Sequence, residues 1–164
     1  MGVKMQPRMR NHQLDDAQIQ ALLETQQVGH IATVNSDGSP YVLPVHFVYF
    51  DGKIFVHGLP KGQKIENIAA DPRVSFCVEK LNGFILDKVP CNVNTAYQSV
   101  VIRGTARMLS DLSQKSQVLR HIVKKYTPTL SMSKVPEAAI RGTGVIEITV
   151  EEWTGKFFDV DSTP

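Results

Sequence analysis

The segment from His57 to Lys64 carries the residue types that could hold a phosphate group. It reads His-Gly-Leu-Pro-Lys-Gly-Gln-Lys, so His57, Lys61, Gln63 and Lys64 supply donors and positive charge, and Gly58 lets a ligand approach the backbone closely. A helix is predicted to begin at Gln63, and a helix amino terminus offers unpaired N–H groups and the positive end of the dipole. A terminal phosphate fits this combination. A solvated turn that happens to carry lysines fits the local composition equally well.

Two other segments place polar side chains within strand-like, mostly apolar sequence. Pro44 interrupts residues 41–50, and a proline there predicts a strand edge or a bulge where ladder hydrogen bonding stops. His46 follows, and its imidazole either faces a cofactor where the sheet opens or is satisfied within the core. Tyr97 and Ser99 open a later strand. Their hydroxyl groups could meet a heterocycle, or they could take part in ordinary cross-strand pairing.

The common catalytic and nucleotide-binding motifs are absent from the sequence. It has no G-x-S-x-G, Walker, H-E-x-x-H or G-x-G-x-x-G pattern, its five histidines are scattered, and no carboxylate pair stands out. We therefore assign no metal site and leave the catalytic residues unknown. An enzyme of this kind would draw its chemistry from a bound cofactor.

Alternating hydrophobicity and tight turns predict an antiparallel barrel of five to seven strands, with two or three peripheral helices, to position these segments. The predicted strands are residues 30–34, 41–50, 53–57, 73–79, 97–109 and 143–153. The predicted helices are a short one from Asp15 or Asp16 to near Gly29, one over 63–70 and one over about 111–126. Residues 80–96 and 127–136 are predicted to be irregular. Gly104 is predicted to mark a bend.

Length and composition are typical of one folded domain. The chain has 164 residues, of which 42% are hydrophobic and 21% charged, and its formal net charge of +2 argues against a dedicated nucleic-acid partner. Residues 1–13 are predicted to form a flexible arm and residues 14–160 a single domain. No signal peptide and no apolar run of about 18 residues is recognised, so we expect a cytoplasmic protein without a membrane partner. Cys77 is expected to be buried and Cys91 to lie in a loop. A disulfide between the two is left as an alternative.

The order and spacing of these segments resemble those of the FMN-binding split barrels of the pyridoxamine phosphate oxidase-like family, in particular the branch of nitroimidazole-resistance proteins. The resemblance extends from about Leu22 to Lys156. Its markers are Gly29-His30-Ile31-Ala32-Thr33-Val34, Gly38-Ser39-Pro40-Tyr41-Val42-Leu43-Pro44-Val45, His57-Gly58, Gly62-Gln63-Lys64, Asp71-Pro72-Arg73-Val74-Ser75-Phe76, Tyr97-Gln98-Ser99-Val100-Val101-Ile102-Arg103-Gly104-Thr105-Ala106 and Trp153-Thr154-Gly155-Lys156.

The resemblance implies a mainly β fold, a six-stranded antiparallel split barrel with two to three helices, which forms a homodimer and binds one FMN at each end of the dimer interface. It implies that Pro44, Val45 and His46 line the flavin ring. The phosphate would be held by the segment around Gly58, through His57, Lys61, Gln63 and Lys64. Tyr97, Ser99 and Val100 would approach the flavin from the same or from the partner subunit.

The activity implied by the resemblance is an FMN-dependent oxidoreductase of a small molecule, with nitroaromatic compounds as one candidate class. The alternative is a protein that binds flavin, deazaflavin or haem without turnover. Two departures from the family pattern bear on the substrate. No Arg-x-His signature follows Thr143, which argues against vitamin B6 oxidation, and Pro44-Val45-His46 stands where the nitroimidazole-resistance branch more usually has Pro-Val-Asn.

Overall fold

A computed structural model describes residues 9–159, which form a closed barrel of six antiparallel strands. The strands are β1 (Val28–Val34), β2 (Pro40–Phe50), β3 (Lys53–Gly58), β4 (Arg73–Ile85), β5 (Asn94–Met108) and β6 (Gly144–Phe158). The helices are α1 (Asp16–Thr25), α2 (Gln63–Ala70), α3 (Leu112–Tyr126) and α4 (Glu137–Gly142), with single 3-10 turns at Pro90–Asn92 and Pro128–Leu130. The mainly β, six-stranded fold is confirmed.

Around the barrel the strands follow the order β1-β2-β3-β6-β5-β4. Alternate side chains fill the interior, and Ile31, Phe47, Phe76, Ile102 and Ile148 are all at most 1% exposed. Burial of these side chains supplies the main driving force for folding. Because β2 and β5 are three places apart in a ring of six, they lie on opposite sides of the barrel.

Two helices, α1 and α3, pack against the barrel. In α1 the side chains of Ile19, Leu22 and Leu23 join the barrel core, and Asp15 caps the helix by accepting a hydrogen bond from the Gln18 backbone. In α3 the apolar side packs on a second cluster made of Val48, Phe55, Leu109, Val118, Ile122 and Val145. The end of α3 is thereby held against β2 and β3. Among residues 9–159 no helix is long and apolar enough to cross a membrane.

The prediction of an irregular segment over residues 80–96 is confirmed only for residues 86–93 and is wrong on either side of them. β4 continues to Ile85 and β5 already starts at Asn94, so the two strands extend beyond the barrel as a hairpin, with a register shift between Leu81 and Gly83. Nearly every side chain from Glu79 to Val93 is exposed or half-buried. A ribbon with no buried face has no alternation of apolar and polar residues, which is the pattern that reveals a strand in a sequence.

The fourth helix was not predicted. α4 has only six residues and follows the predicted loop over 127–136, just before β6. Its one buried side chain is Ile140, which is too little periodicity to indicate a helix in the sequence.

Gly104 does mark an irregularity in β5, as predicted. The register between β5 and β6 shifts between Arg103 and Gly104, and a Cβ built on Gly104 would lie 2.0 Å from the carbonyl oxygen of Thr149. Only glycine lets the two backbones approach this closely.

Pro44 causes no bulge, contrary to one of the two alternatives. It pairs with His30 within an uninterrupted register between β1 and β2. The alternative of a strand edge holds, because β3 pairs with β2 only from Phe47 onward. In the part of the chain that the structure describes, no strand pairs with the other edge of β2 at Pro44.

The amino-terminal arm is described only in part, because residues 1–8 lie outside the described residues. Its last residues run beside the end of β6, where the Phe157 N–H donates to His12 O and the Leu14 N–H donates to Gly155 O. Cys77 is half-buried and Cys91 is exposed, and both are free thiols.

Candidate functional site

The first half of β2 is a free strand edge. Residues 40–46 pair with β1 on one side, and within residues 9–159 no strand pairs with them on the other. Pro44 and His46 are exposed on the outer face of the barrel, whereas Val45 points inward and packs against the core. Backbone groups on this edge are therefore available to a ligand, with the two exposed side chains beside them.

His46 and His57 meet where β2 and β3 separate. The ladder between these strands reaches Phe47 and Val56, so His46 and His57 are the next residues on each strand beyond the last pair. Burial, and secondly the charge of His46, lowers the pKa of His57 below its ordinary value. The Nδ1 atom of His57 is buried and has no hydrogen-bond partner among the described residues. A buried, unpaired imidazole nitrogen is costly unless a ligand satisfies it.

The start of α2 faces the end of β3. The Nζ atom of Lys64 lies 3.7 Å from the position of a Cβ built on Gly58, so the ammonium group sits over the glycine backbone. Gly62 begins the helix with a φ of 119° and offers no side-chain cap, and the first intrahelical hydrogen bonds are donated by Ile65 and Glu66. The N–H groups of Gln63 and Lys64 thus precede the helical ladder, which is the arrangement that binds anions.

A small network of amides ties α2 to the end of β1. The Gln63 side chain donates to Asn35 Oδ1 over 2.9 Å, and Asn67 Nδ2 donates to the same oxygen over 2.8 Å and to Thr33 Oγ1 over 3.0 Å. Asn67 and Thr33 are buried. Sequence reasoning assigned no role to Asn35, Thr33 or Asn67, and no motif indicates one. A buried asparagine in the middle of a short amphipathic helix was the available signal.

These contacts bring seven of the predicted residues to one side of the barrel. They are Pro44, Val45, His46, His57, Gly58, Gln63 and Lys64, from the free edge of β2, the end of β3 and the start of α2. Lys61 lies in the exposed connection between β3 and α2. The cluster combines two imidazoles, an ammonium group and free backbone N–H groups, and it can hold a phosphate.

The predicted residues on β5 lie elsewhere. Tyr97 and Ser99 are half-buried, whereas Val100 is 0% exposed and pairs with β4 on one side and β6 on the other. Ser99 Oγ is buried without a hydrogen-bond partner among residues 9–159. Lys156 on β6 places its Nζ 5.9 Å from the centre of the Tyr97 ring. Since β5 is opposite β2, one chain does not bring this group to the cluster on β2, β3 and α2.

Tyr126 is a further residue at the site that the sequence did not indicate. Its ring stacks on the His46 ring with centroids 4.6 Å apart and planes inclined by 29°. It is the last residue of α3, where a tyrosine in an amphipathic helix gives no local sign of a contact with β2.

The chain is similar to a protein family, to a curated relative and to several solved structures. The sequence model of a family described as pyridoxamine 5'-phosphate oxidase matches residues 15–157. A 5a,11a-dehydrotetracycline/5a,11a-dehydrooxytetracycline reductase of Streptomyces rimosus is 35% identical over 91 residues, which is 53% of this chain and 58% of that protein. The matched part thus spans little more than half the length of this curated relative.

Solved structures share the fold over nearly the whole chain. A candidate 5-nitroimidazole antibiotic resistance protein from Bacteroides thetaiotaomicron superimposes with a TM-score of 0.74 at 25% identity, covering 89% of this chain and 86% of that one. An FAD and heme binding protein from Mycobacterium smegmatis superimposes with a TM-score of 0.79 at 19% identity, covering 92% and 77% of the two chains. The second likeness concerns the fold alone.

Proposed function

The chain belongs to the pyridoxamine 5'-phosphate oxidase family, and we propose that it is a cytoplasmic, FMN-dependent oxidoreductase of small molecules that works as a homodimer. Proteins of this family generally bind a flavin. The observation that carries the proposal is the convergence of His57, Gly58 and Lys64 at the start of α2, beside the free edge of β2. The two free thiols fit a reducing compartment.

In this proposal the phosphate of FMN binds at the start of α2. Lys64 supplies a charge above Gly58, the N–H groups of Gln63 and Lys64 precede the helical ladder and are available to the phosphate, and the unpaired Nδ1 of His57 gains a partner. Lys61 adds positive charge from the exposed loop. Asn35 and Asn67 hold the Gln63 side chain and so fix the helix start relative to β1.

The flavin ring would lie along the free edge of β2. Pro44 and His46 offer side chains on the outer face, and the backbone of residues 44–46 offers unpaired groups to the polar edge of the ring. A bound flavin would supply the electron transfer. The protein residues position the cofactor and shape the space for the substrate, and no general acid or base is assigned.

Tyr97 and Ser99 enter the proposal through a second copy of the chain. They are on the opposite side of the barrel from His46, so both groups contact one flavin only if β5 belongs to the partner. The outer face that carries Pro44 also exposes Val42, and β5 exposes Val101 beside Ser99. The hairpin beyond the barrel exposes further apolar side chains, namely Leu81, Phe84, Leu86, Val89 and Val93. Apolar surface of this extent favours association.

The proposed substrate is a small organic molecule that the flavin reduces or oxidises. Two similarities support it: the relative from Streptomyces rimosus is named a reductase of dehydrotetracyclines, and the protein from Bacteroides thetaiotaomicron is described as a candidate for resistance to 5-nitroimidazole antibiotics. Both names concern ring compounds that accept electrons. They are the substrate classes with which a screen should begin.

The test is a visible spectrum of the purified protein, together with its mass in solution. We expect flavin absorption bands that bleach on reduction with dithionite and a mass of twice 18.2 kDa. If the protein is purified without cofactor, titration with FMN should restore the bands. A Soret band would favour haem binding, and deazaflavin uptake in place of FMN would favour the other alternative. A colourless monomer that takes up no FMN would refute the proposal.

A further inference from the structure

Phe47 lies at the point where β2 passes from one neighbouring strand to the other. The last pair between β1 and β2 is Val28 with His46, and the first pair between β2 and β3 is Phe47 with Val56. Beyond Val28 the two strands separate, so the backbone groups of Phe47 that face β1 have no strand partner. Gln27, which directly precedes β1, is the residue that would face Phe47 if the ladder continued.

The hydroxyl group of Tyr126 fills this gap. The Phe47 N–H donates to it over 2.8 Å, and the hydroxyl lies 2.6 Å from Gln27 O and 2.8 Å from Phe47 O, either of which can accept its proton. One phenol thus replaces the next rung of the ladder between β1 and β2. Burial raises the pKa of Tyr126, so the hydroxyl keeps the proton that it donates.

The same side chain also contacts the cofactor site. The Tyr126 ring stacks on His46, the residue next to Phe47, and His46 faces His57 across the opening between β2 and β3. The neighbouring residue of α3 strengthens the attachment: Lys125 Nζ donates to Leu23 O over 3.0 Å and lies 3.9 Å from the centre of the Phe47 ring. The end of α3 is therefore anchored to the barrel immediately beside the site.

We propose that Tyr126 is a positioning residue of the cofactor site, whose hydroxyl fixes the β2 backbone at Phe47 and whose ring holds the His46 imidazole opposite His57. The expected effect of Tyr126 on FMN binding rests on the proposed function. Its effect on the arrangement of His46 and His57 does not. Tyr126 acts through His46, at a distance from any bound phosphate. Its effect on FMN binding should therefore depend on the presence of His46.

A double-mutant cycle of Tyr126→Phe and His46→Ala tests this dependence. Tyr126→Phe keeps the ring and removes the hydroxyl. The freed β2 backbone must then be ordered when FMN binds, which should weaken FMN binding by up to about tenfold, the contribution of one hydrogen bond being the upper limit. In the His46→Ala background the same change should weaken FMN binding less, because only the contribution of the β2 backbone is left to lose. The matched control is Tyr49→Phe on the same strand, since the Tyr49 hydroxyl has no hydrogen-bond partner among the described residues. Equal losses in both His46 backgrounds, or an equal loss in the control, would overturn the proposal.

An NMR experiment on the flavin-free protein provides a test that does not depend on FMN. Contacts between the ring protons of His46 and Tyr126 should be visible in the unsubstituted protein, which avoids any question of whether a variant folds. In Tyr126→Phe, the β2 backbone is no longer fixed at Phe47 and His46 can shift relative to His57, so the part of the His57 pKa lowering that comes from the His46 charge should decrease, while the larger part due to burial stays. Tyr49→Phe should leave the pKa of His57 unchanged. A protein that binds no FMN but shows both NMR effects refutes the proposed function and supports the positioning role. Absent ring contacts, or an unchanged His57 titration in Tyr126→Phe, refute the positioning role.

Discussion

Replacing Lys64 by alanine should weaken FMN binding strongly and leave the fold intact. The Lys64 ammonium lies over Gly58, and no carboxylate among residues 9–159 forms an ion pair with it. The charge therefore has no structural partner whose loss would destabilise the barrel. In the proposed complex its partner is the phosphate, and the substitution removes a charge-assisted hydrogen bond.

The expected loss follows from the burial of Lys64. The side chain is half-buried at the start of α2, so its bond to a phosphate is partly shielded from water. Hydrogen bonds to charged groups contribute about 1.5–3 kcal/mol, which corresponds to FMN affinity lower by a factor of about 10 to 150. Lys64→Arg keeps the charge and should recover part of the affinity. Riboflavin lacks the phosphate, so its affinity should be the same for Lys64→Ala and the unsubstituted protein.

The assay is a fluorescence titration of flavin-free protein with FMN and with riboflavin, combined with thermal unfolding. Lys134→Ala is the matched control, because Lys134 is exposed in the connection between α3 and α4, far along the chain from the cluster. The reasoning would be refuted by FMN affinity within about twofold of the unsubstituted protein. An equal loss for riboflavin would show that Lys64 supports the ring or the fold instead of the phosphate.

Three further predictions concern stability and pH. Gly104→Ala should destabilise the protein by about 3 kcal/mol or more in denaturant unfolding, because its Cβ would lie 2.0 Å from a carbonyl oxygen of β6, whereas Gly142→Ala, with open space around it, should have little effect. Glu147 is 5% exposed, accepts a hydrogen bond from Arg107 Nε over 2.7 Å and forms an ion pair with Lys53. Burial alone would raise the pKa of Glu147, but the bonds and charges of Arg107 and Lys53 lower it below its ordinary value. The stability that this carboxylate contributes should be present above its pKa in the unfolded chain and lost as the pH falls through its pKa in the folded protein. Glu147→Gln should reduce the free energy of unfolding by about 1–3 kcal/mol at neutral pH. The same substitution should remove this part of the loss of stability in acid. Burial, and secondly the charge of His46, lowers the pKa of His57 in the free protein, and a bound phosphate would raise it. FMN should therefore bind with proton uptake, and more tightly as pH falls from the pKa of His57 in the complex towards its lowered pKa in the free protein. Isothermal titration in two buffers measures the proton, and uptake that is equal for riboflavin would contradict this origin.

Much of the barrel could be predicted from local patterns. The hairpin at Asp51-Gly52, the helix over 63–70 and the strands on either side of them follow from turn residues and from alternating or helical periodicity, and each was found within a few residues of its expected place. The helix is visible in the sequence because it has one buried and one exposed face, whereas β3, in which Ile54, Phe55 and Val56 are all buried, is visible as a short apolar run after a tight turn. The β4–β5 hairpin has no buried face and α4 has one buried side chain, so neither produced a pattern.

The sequence by itself determined which residue types meet at the start of α2, because Gly58, Gln63 and Lys64 lie within seven positions of one another. Only the tertiary structure decided that this segment faces the free edge of β2 and that His46 lies beside His57, since both facts depend on where β3 joins β2. It also decided that Ser99 lies across the barrel, because strand order around the ring is not encoded in local spacing. Tyr126 is the clearest case: 79 positions separate it from Phe47, and only the packing of α3 on the barrel places its hydroxyl in the gap between two strands.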